Sequence, residues 1–212
     1  EYIYKFVSRD GVRPGGSAAN RDLLDHGTLH VARFDEGGRG EWIALQAGRH
    51  GLTPQRGFAD QASVLINARG AADVVGATRM DRPEWIAVHP VTGEVFVTLT
   101  NNSQRGEPGR PGPDAANPRA RNLFGHIIRW REDGNDAAAS RFQWDFFALA
   151  GDPTVPGSET RYPTADADLF GSPDGLHFDS GGLLWIQTDM SGQLMHKGDM
   201  ARLGNNQMLC AD

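Results

Sequence analysis

Two stretches of this chain, about 90 residues apart, carry the same pattern, and this repeat limits the possible folds more than any other feature. Residues 83–90 read PEWIAVHP and residues 173–180 read PDGLHFDS. With a gap of one residue, both copies continue through a glycine into a second apolar run, GEVFV or GLLWI. In each copy a proline and an acidic residue precede a strand, a turn and another strand. Repeated antiparallel strands of this kind are typical of β-propellers, whose blades are four-stranded meanders.

The rest of the chain has a similar texture of short apolar runs separated by Gly, Pro, Asn and Asp. Such runs predict antiparallel strands, here over residues 2–8, 28–34, 41–45, 85–89, 94–100, 123–131, 141–149, 176–178 and 183–188. The five tryptophans fall on or beside these strands and are expected in the core between sheets. Residues 60–78 favour helix instead, because Asp60 is a good N-cap and alanines are frequent, with a kink expected at Gly70.

The sequence therefore predicts an all-β chain with a helical insertion, equivalent to about two to three blades of a larger β-propeller. Residues 1–59 would be the end of one blade, and residues 60–81 the helical insertion. Residues 82–150 would be a complete four-stranded blade with a long loop at 101–122, and residues 151–212 the start of the next blade.

Composition and chain ends narrow the range of functions. With 27 acidic against 21 basic residues and a net charge of −6, the chain is not built as a general nucleic-acid binder. No apolar run approaches the roughly 18–20 residues of a membrane-spanning helix. The single cysteine, Cys210, excludes an internal disulfide and is expected to be a buried strand residue. Because the chain starts without Met inside one apolar run and stops inside another, we expect a piece of a longer protein.

The repeat also selects two candidate site residues. Glu84 and Asp174 occupy the same position in the two copies, just before the strand expected to lie innermost beside the propeller channel. Two carboxylates that converge there repel each other unless a cation lies between them, and hard oxygen ligands suit calcium, magnesium or ferric iron. The alternative is that both acids only cap turns. Asp189, which follows the later repeat strand, is either a turn residue or a group beside the same axis.

Several motifs resemble those of a known family. These are MDRPEW at 80–85, NPRA at 117–120, GHIIRW at 125–130 and GNNQM at 204–208, together with residues 1–8 and 61–76. They closely resemble the bacterial alkaline phosphatases of the PhoX type over essentially the whole chain. The resemblance implies a secreted, mostly periplasmic protein that is exported by the twin-arginine route and has a six-bladed β-propeller with helical decoration. It also implies hydrolysis of phosphate monoesters at a cluster of iron and calcium on the propeller axis.

The resemblance assigns roles to three residues of this chain. Glu84 matches a carboxylate metal ligand, Arg82 matches the arginine that meets the substrate phosphate, and Asp174 resembles a further metal-binding aspartate. The family's cluster also takes a cysteine and carboxylates from segments outside this chain, and Cys210 stands in a different context. We therefore expect these residues to hold part of a site, to need the remaining propeller blades as partners, and to show weak or no activity alone.

Two other functions remain open at this point. The segment 173–179 loosely resembles calcium-dependent lactonases, which are also six-bladed propellers, although a lactone has no anionic group for Arg82 to bind. A propeller used as a binding or structural module is the non-enzymatic alternative. The arginine-rich loop at 101–122 is either a lid over an anionic substrate or a solvated connection.

Overall fold

A computed structural model describes residues 1–165 and 167–211 of the chain. The described strands are β1 (Tyr4–Ser8), β2 (Gly27–Phe34), β3 (Arg39–Ala44), β4 (Pro83–Val88), β5 (Val95–Leu99), β6 (His126–Glu132), β7 (Arg141–Leu149), β8 (Pro173–Phe178), β9 (Leu184–Thr188) and β10 (Met208–Ala211). The described α-helices are α1 (Gly16–Ala19), α2 (Gln61–Ile66) and α3 (Ala68–Val74). None of these helices is long and apolar enough to cross a membrane.

The strands form two antiparallel sheets. The larger sheet has seven strands in the order β1-β2-β3-β7-β6-β5-β4 and curls into a half-barrel. Its two meanders, β1–β3 and β4–β7, are joined into one sheet where residues 39–41 of β3 pair with residues 141–143 of β7. The smaller sheet has the order β10-β9-β8. The predicted chain of mostly β structure with a helical insertion is confirmed.

The first strands of the two repeats begin earlier than the sequence suggested. Both β4 and β8 start at their proline, so Glu84 and Asp174 lie inside the strands rather than before them. The register shifts between Pro83 and Ile86 and again between Pro173 and Leu176. Proline is tolerated as the first residue of a strand. The irregular register then takes the residues that follow out of regular cross-strand pairing. Each acidic residue therefore lies in an equivalent irregularity at the start of its strand.

The helical insertion is confirmed, but its break is not at Gly70. Asp60 accepts a hydrogen bond from the backbone of Ser63, and the Ser63 hydroxyl accepts one from the backbone of Asp60. Asn67 lies between α2 and α3. Its side chain accepts a hydrogen bond from the Gly70 amide and caps the N-terminus of α3. Because the asparagine offers the backbone a local alternative to helix, it decides where the segment breaks.

Three buried apolar clusters hold these elements together. One fills the curl of the large sheet and includes Phe34, Trp42, Ile128, Trp130 and Phe142. A second packs the helical insertion against β1–β3, and the third joins β5–β7 to the small sheet. The prediction of a tryptophan core is correct for Trp42, Trp130 and Trp144, but Trp85 is 54% exposed. Trp85 lies on β4, which is an edge strand of the large sheet.

The prediction that Cys210 is buried is wrong. Cys210 is on a strand, β10, but its side chain is exposed. β10 is the edge of the small sheet, and its neighbours Leu209 and Ala211 are the residues that pack on the apolar cluster. Successive side chains of a strand point to opposite faces, so the residue between these two faces away from the core.

Thr98 of β5 and Thr100, which follows this strand, connect the repeat copies across the boundary between the sheets. The Thr98 hydroxyl accepts from the Trp85 amide (3.0 Å) and donates to the Asp174 carbonyl (2.6 Å). The Thr100 hydroxyl donates to the Pro173 carbonyl at 3.0 Å. Both threonines are buried. Thr98 therefore connects the residue after Glu84 to the backbone of Asp174.

We expect Thr98→Val to lower the free energy of unfolding by about 2 kcal/mol, because it removes the hydroxyl that bonds the Trp85 amide and the Asp174 carbonyl. Thr98→Ser is the matched control, since it keeps the hydroxyl and should cost about 1 kcal/mol or less. Urea unfolding followed by circular dichroism measures both. Equal losses for the two variants would show that these hydrogen bonds do not stabilise the joint.

Candidate active site

The two repeat copies share an unusual backbone turn directly before their proline. Arg82 and Ser172 have φ angles of 53° and 55°, in the left-handed region that residues other than glycine rarely adopt. The Arg82 carbonyl accepts from the Thr100 amide (3.1 Å), and the Ser172 carbonyl accepts from the Asp189 amide (2.9 Å). The two copies therefore share backbone geometry as well as sequence. The strained turns set the direction in which the chain enters the strand that carries each acidic residue.

Three carboxylates from the two copies come close enough to influence each other. Burial raises the pKa of Glu84, and the charges of Asp174 and Asp189 raise it further. Burial also raises the pKa of Asp174, with Asp189 as the next cause. Like charges that share a site disfavour ionisation in this way. The structure thus brings the two predicted acids together and adds Asp189, which is exposed at the end of β9.

Arg82 is the nearby positive charge. Its Nη2 lies 3.6 Å from Glu84 Oε1, and its Nη1 donates to Asn101 Oδ1 at 3.1 Å. The arginine lowers the pKa of both Glu84 and Asp174, although less than the opposing causes raise it. With 53% of its side chain exposed, the guanidinium keeps surface open to solvent beside the carboxylates. A planar guanidinium in this position suits an anion with two oxygens to offer.

The donor set suits a hard cation, but the described residues do not complete a metal site. The carboxylates of Asp174 and Asp189 raise the pKa of Glu84, and a cation bound among them would relieve this repulsion. Their oxygen atoms are the ligands that calcium and ferric iron prefer. Within residues 1–165 and 167–211, no group of three or more His, Cys, Asp or Glu side chains has a geometry able to hold a metal ion.

A buried polar cluster lies directly beneath Arg82, and the sequence reasoning missed it. The Asp81 carboxylate is fully buried and accepts from Arg105 Nε (2.6 Å), Asn102 Nδ2 (2.8 Å) and Asn122 Nδ2 (2.9 Å). Its own amide donates to Asn117 Oδ1 at 2.9 Å. The sequence offered a signal for two of these residues, because Asp81 lies in MDRPEW and Asn117 in NPRA, both part of the family resemblance. Nothing in their spacing showed that they meet.

Two arginines of the 101–122 loop, Arg105 and Arg119, are buried, whereas Arg110 and Arg121 are exposed. Arg105 donates to the carbonyls of Gly112 and Arg79, and Arg119 donates to those of Ala150, Ser158 and Gly125. Arg119 is 4% exposed, and burial lowers its pKa to about 10. Arg105 and Arg119 therefore fasten the loop to the body of the protein.

One histidine belongs to the same cluster. His126 is fully buried, accepts from Asn122 Nδ2 at Nδ1 (3.1 Å) and donates from Nε2 to the Ala116 carbonyl (2.8 Å). Burial, followed by the charge of Arg119, lowers its pKa to about 4. At neutral pH the ring is uncharged, and it links the loop residues Asn122 and Ala116 to the start of β6.

The curled sheet, the repeated strand pair and the carboxylates that meet beside an arginine define a propeller-type β chain with an acidic site. The sequence profile of the alkaline phosphatase PhoX family matches residues 1–212. This chain therefore belongs to the PhoX family of alkaline phosphatases, as the sequence motifs predicted.

A solved structure supports the same family and fold. The structure described as Pseudomonas fluorescens PhoX in complex with vanadate, a transition state analogue, matches 100% of this chain with 52% sequence identity and a TM-score of 0.91. The chain spans 38% of the length of that protein. The predicted fold class, a propeller fragment, is confirmed by this match. No match was found among curated protein sequences.

We expect Glu84→Gln to stabilise the metal-free protein slightly at neutral pH. The folded protein raises the pKa of Glu84, so its ionised form costs stability above that pKa, and the cost disappears as pH falls below the unfolded value. The gain should stay below about 1 kcal/mol because solvent screens this partly exposed group.

Thermal unfolding with a chelator, at about pH 7.5 and about pH 3, measures this effect. Glu36→Gln, on an exposed turn, is the control and should change stability at neither pH. A loss of stability in Glu84→Gln at neutral pH would contradict the repulsion described above.

Proposed function

We propose that this chain is part of a metal-dependent phosphatase that hydrolyses phosphate monoesters. Arg82 would bind the substrate phosphate, and Glu84 and Asp174 would bind metal. The observation that carries the proposal is the guanidinium of Arg82 lying 3.6 Å from Glu84, beside a carboxylate group that includes Asp174. Membership of the alkaline phosphatase PhoX family, and a 52% identical relative solved with vanadate, support the reaction class.

The chemistry explains why an arginine and carboxylates belong together. Phosphate ester hydrolysis requires stabilisation of negative charge on the non-bridging oxygens as the ester bond breaks. Arg82 supplies fixed positive charge and a fork of N–H donors for two of those oxygens. Glu84 orients that fork through its contact with Nη2, while Asn101 holds Nη1. A bound metal would neutralise phosphate charge and supply a nucleophile at neutral pH.

Calcium and ferric iron are the metals we propose, from the family resemblance and from the oxygen donors present. Glu84 and Asp174 would hold them, and Asp189 is close enough to raise the pKa of both. Since this chain spans 38% of its solved relative, we propose that the other ligands come from the remaining propeller blades. We expect the 212 residues alone to be weakly active or inactive.

The proposed setting is the periplasm or the exterior of a bacterium, where phosphate monoesters would be the substrates. This rests on the family, whose members are typically exported. A site that depends on calcium also suits an extracellular compartment, since weak calcium sites fill at the higher concentrations found there.

Metal removal is expected to abolish activity in the full-length protein. Hydrolysis of a chromogenic phosphate monoester should fall to background after chelation and return with calcium and iron together. Glu84→Ala should lower kcat/KM at least about 100-fold, because it removes a proposed ligand and an orienting contact of Arg82.

Glu107→Ala, at an exposed position of the 101–122 loop, is the control for this experiment and should retain activity. Full activity in the chelated protein, or in Glu84→Ala, would overturn the proposed function. Hydrolysis of a lactone but no phosphate ester would instead favour the lactonase alternative.

Arg82→Lys tests the role of the guanidinium separately. Lysine keeps the charge but not the planar fork, so it cannot hold Glu84, Asn101 and two phosphate oxygens in one geometry. We expect kcat/KM to fall about 10- to 100-fold, the equivalent of one or two charge-assisted hydrogen bonds.

Steady-state kinetics with unchanged metal content, checked by elemental analysis, would attribute this loss to substrate binding. The matched control is Arg121→Lys, an exposed arginine of the same loop, and it should behave like wild type. Wild-type kinetics in Arg82→Lys would remove Arg82 from the proposed mechanism.

A further inference from the structure

We infer that Asp81 is a positioning residue, which holds the strained turn at Arg82 so that Arg82 and Glu84 face the same site. Asp81 has no solvent access, so it contacts neither substrate nor metal. Its effect on the reaction would pass through Arg82 and Glu84. The effect of Asp81 on catalysis rests on the proposed function. Its effect on the backbone conformation of Arg82 does not depend on that function.

The first argument is that the Asp81 cluster is a buried ion pair with almost complete hydrogen bonding. The side chains of Asp81 and Arg105 are both 0% exposed, and Arg105 Nε lies 2.6 Å from Asp81 Oδ1. Asn102 and Asn122 donate to the same carboxylate. A buried ion pair gives little net stability compared with apolar packing, and in some proteins such a pair serves to hold one particular geometry.

The second argument is that the cluster holds the segment that leads into the turn. Arg105 Nη2 donates to the Arg79 carbonyl at 2.6 Å, and Asn117 Nδ2 donates to the same carbonyl at 3.1 Å. The Arg82 amide donates to the Met80 carbonyl at 3.1 Å. Residues 79–82 are therefore fixed in position, and the left-handed φ of Arg82 is the conformation that connects them to β4.

The third argument comes from the other copy of the repeat, which has the same turn but no such cluster among the residues that the structure describes. Ser172 is buried, and its preceding residue, Gly171, packs beside Leu203 and Phe124. Apolar packing and the hydrogen bond from the Ser172 amide to the Phe124 carbonyl (2.7 Å) hold that turn. The turn at Arg82 lies at an exposed surface, where side-chain packing is too sparse to hold a left-handed residue against its strain. A polar cluster beneath the turn supplies the missing constraint.

Asp81→Asn in the full-length protein tests the inference, with Glu132→Gln as the matched control. Glu132 is also buried and accepts from Lys5, Trp42 and Trp130, but it lies in the interior of the large sheet. Both substitutions remove one charge from a buried ion pair. We expect Asp81→Asn to lower kcat about 100-fold per folded molecule, and Glu132→Gln to leave it within about twofold.

Two further measurements separate positioning from simple loss of stability. The folded fraction of each variant is measured by circular dichroism, and a crystal structure of Asp81→Asn reports the φ angle of Arg82. We expect Arg82 to leave the left-handed region while the sheets remain unchanged. If the full-length protein proves to have no phosphatase activity, the proposed function fails, and the crystal structure still decides this inference.

Asn102→Ala provides a milder variant if Asp81→Asn does not fold. It removes one hydrogen bond to Asp81 and keeps the ion pair, so we expect an approximately tenfold loss of kcat in a folded protein. Activity that falls only in proportion to the folded fraction, as for Glu132→Gln, would overturn the inference. An unchanged Arg82 turn in the Asp81→Asn structure would do the same.

Discussion

The hydroxyl of Thr98 is the contact on which the arrangement of this site depends. It bonds the amide of Trp85 on one side and the carbonyl of Asp174 on the other, so it joins the starts of two repeated strands in different sheets. Glu84 precedes Trp85 directly. The Thr100 hydroxyl, which donates to the Pro173 carbonyl, and the apolar cluster between β5–β7 and the small sheet support the same joint.

The site is costly to the fold that carries it. Glu84 and Asp174 are pushed towards their protonated forms by burial and by neighbouring carboxylates, and both proline-linked turns begin with a left-handed residue other than glycine. Such costs are tolerated where the surrounding structure holds them firmly. Here the support consists of two buried threonines, an apolar pocket around the turn at Ser172, and a polar cluster beneath the turn at Arg82.

Much of the fold followed from local patterns in the sequence. The strand over residues 141–149 was predicted with its observed bounds, because alternating apolar residues and a clear turn on its N-terminal side define it locally. The break of the helical segment was predicted at Gly70 and occurs at Asn67, because side-chain capping outweighed helix propensity. Cys210 and Trp85 were misjudged since both lie on edge strands, and a strand's position within a sheet is not a local property.

The sequence by itself determined the repeat, the β class of the fold and the equivalence of Glu84 with Asp174, because periodicity and turn residues are written in short segments. Family membership could likewise be read from short motifs such as MDRPEW. Only the tertiary structure decided that Asp189 joins the two acids and that Asp81, Arg105 and Asn122 meet beneath Arg82. These groups lie up to about 100 residues apart in the sequence. They interact only when the sheets pack against each other and exclude water, because electrostatic interactions and hydrogen bonds are stronger where water is excluded.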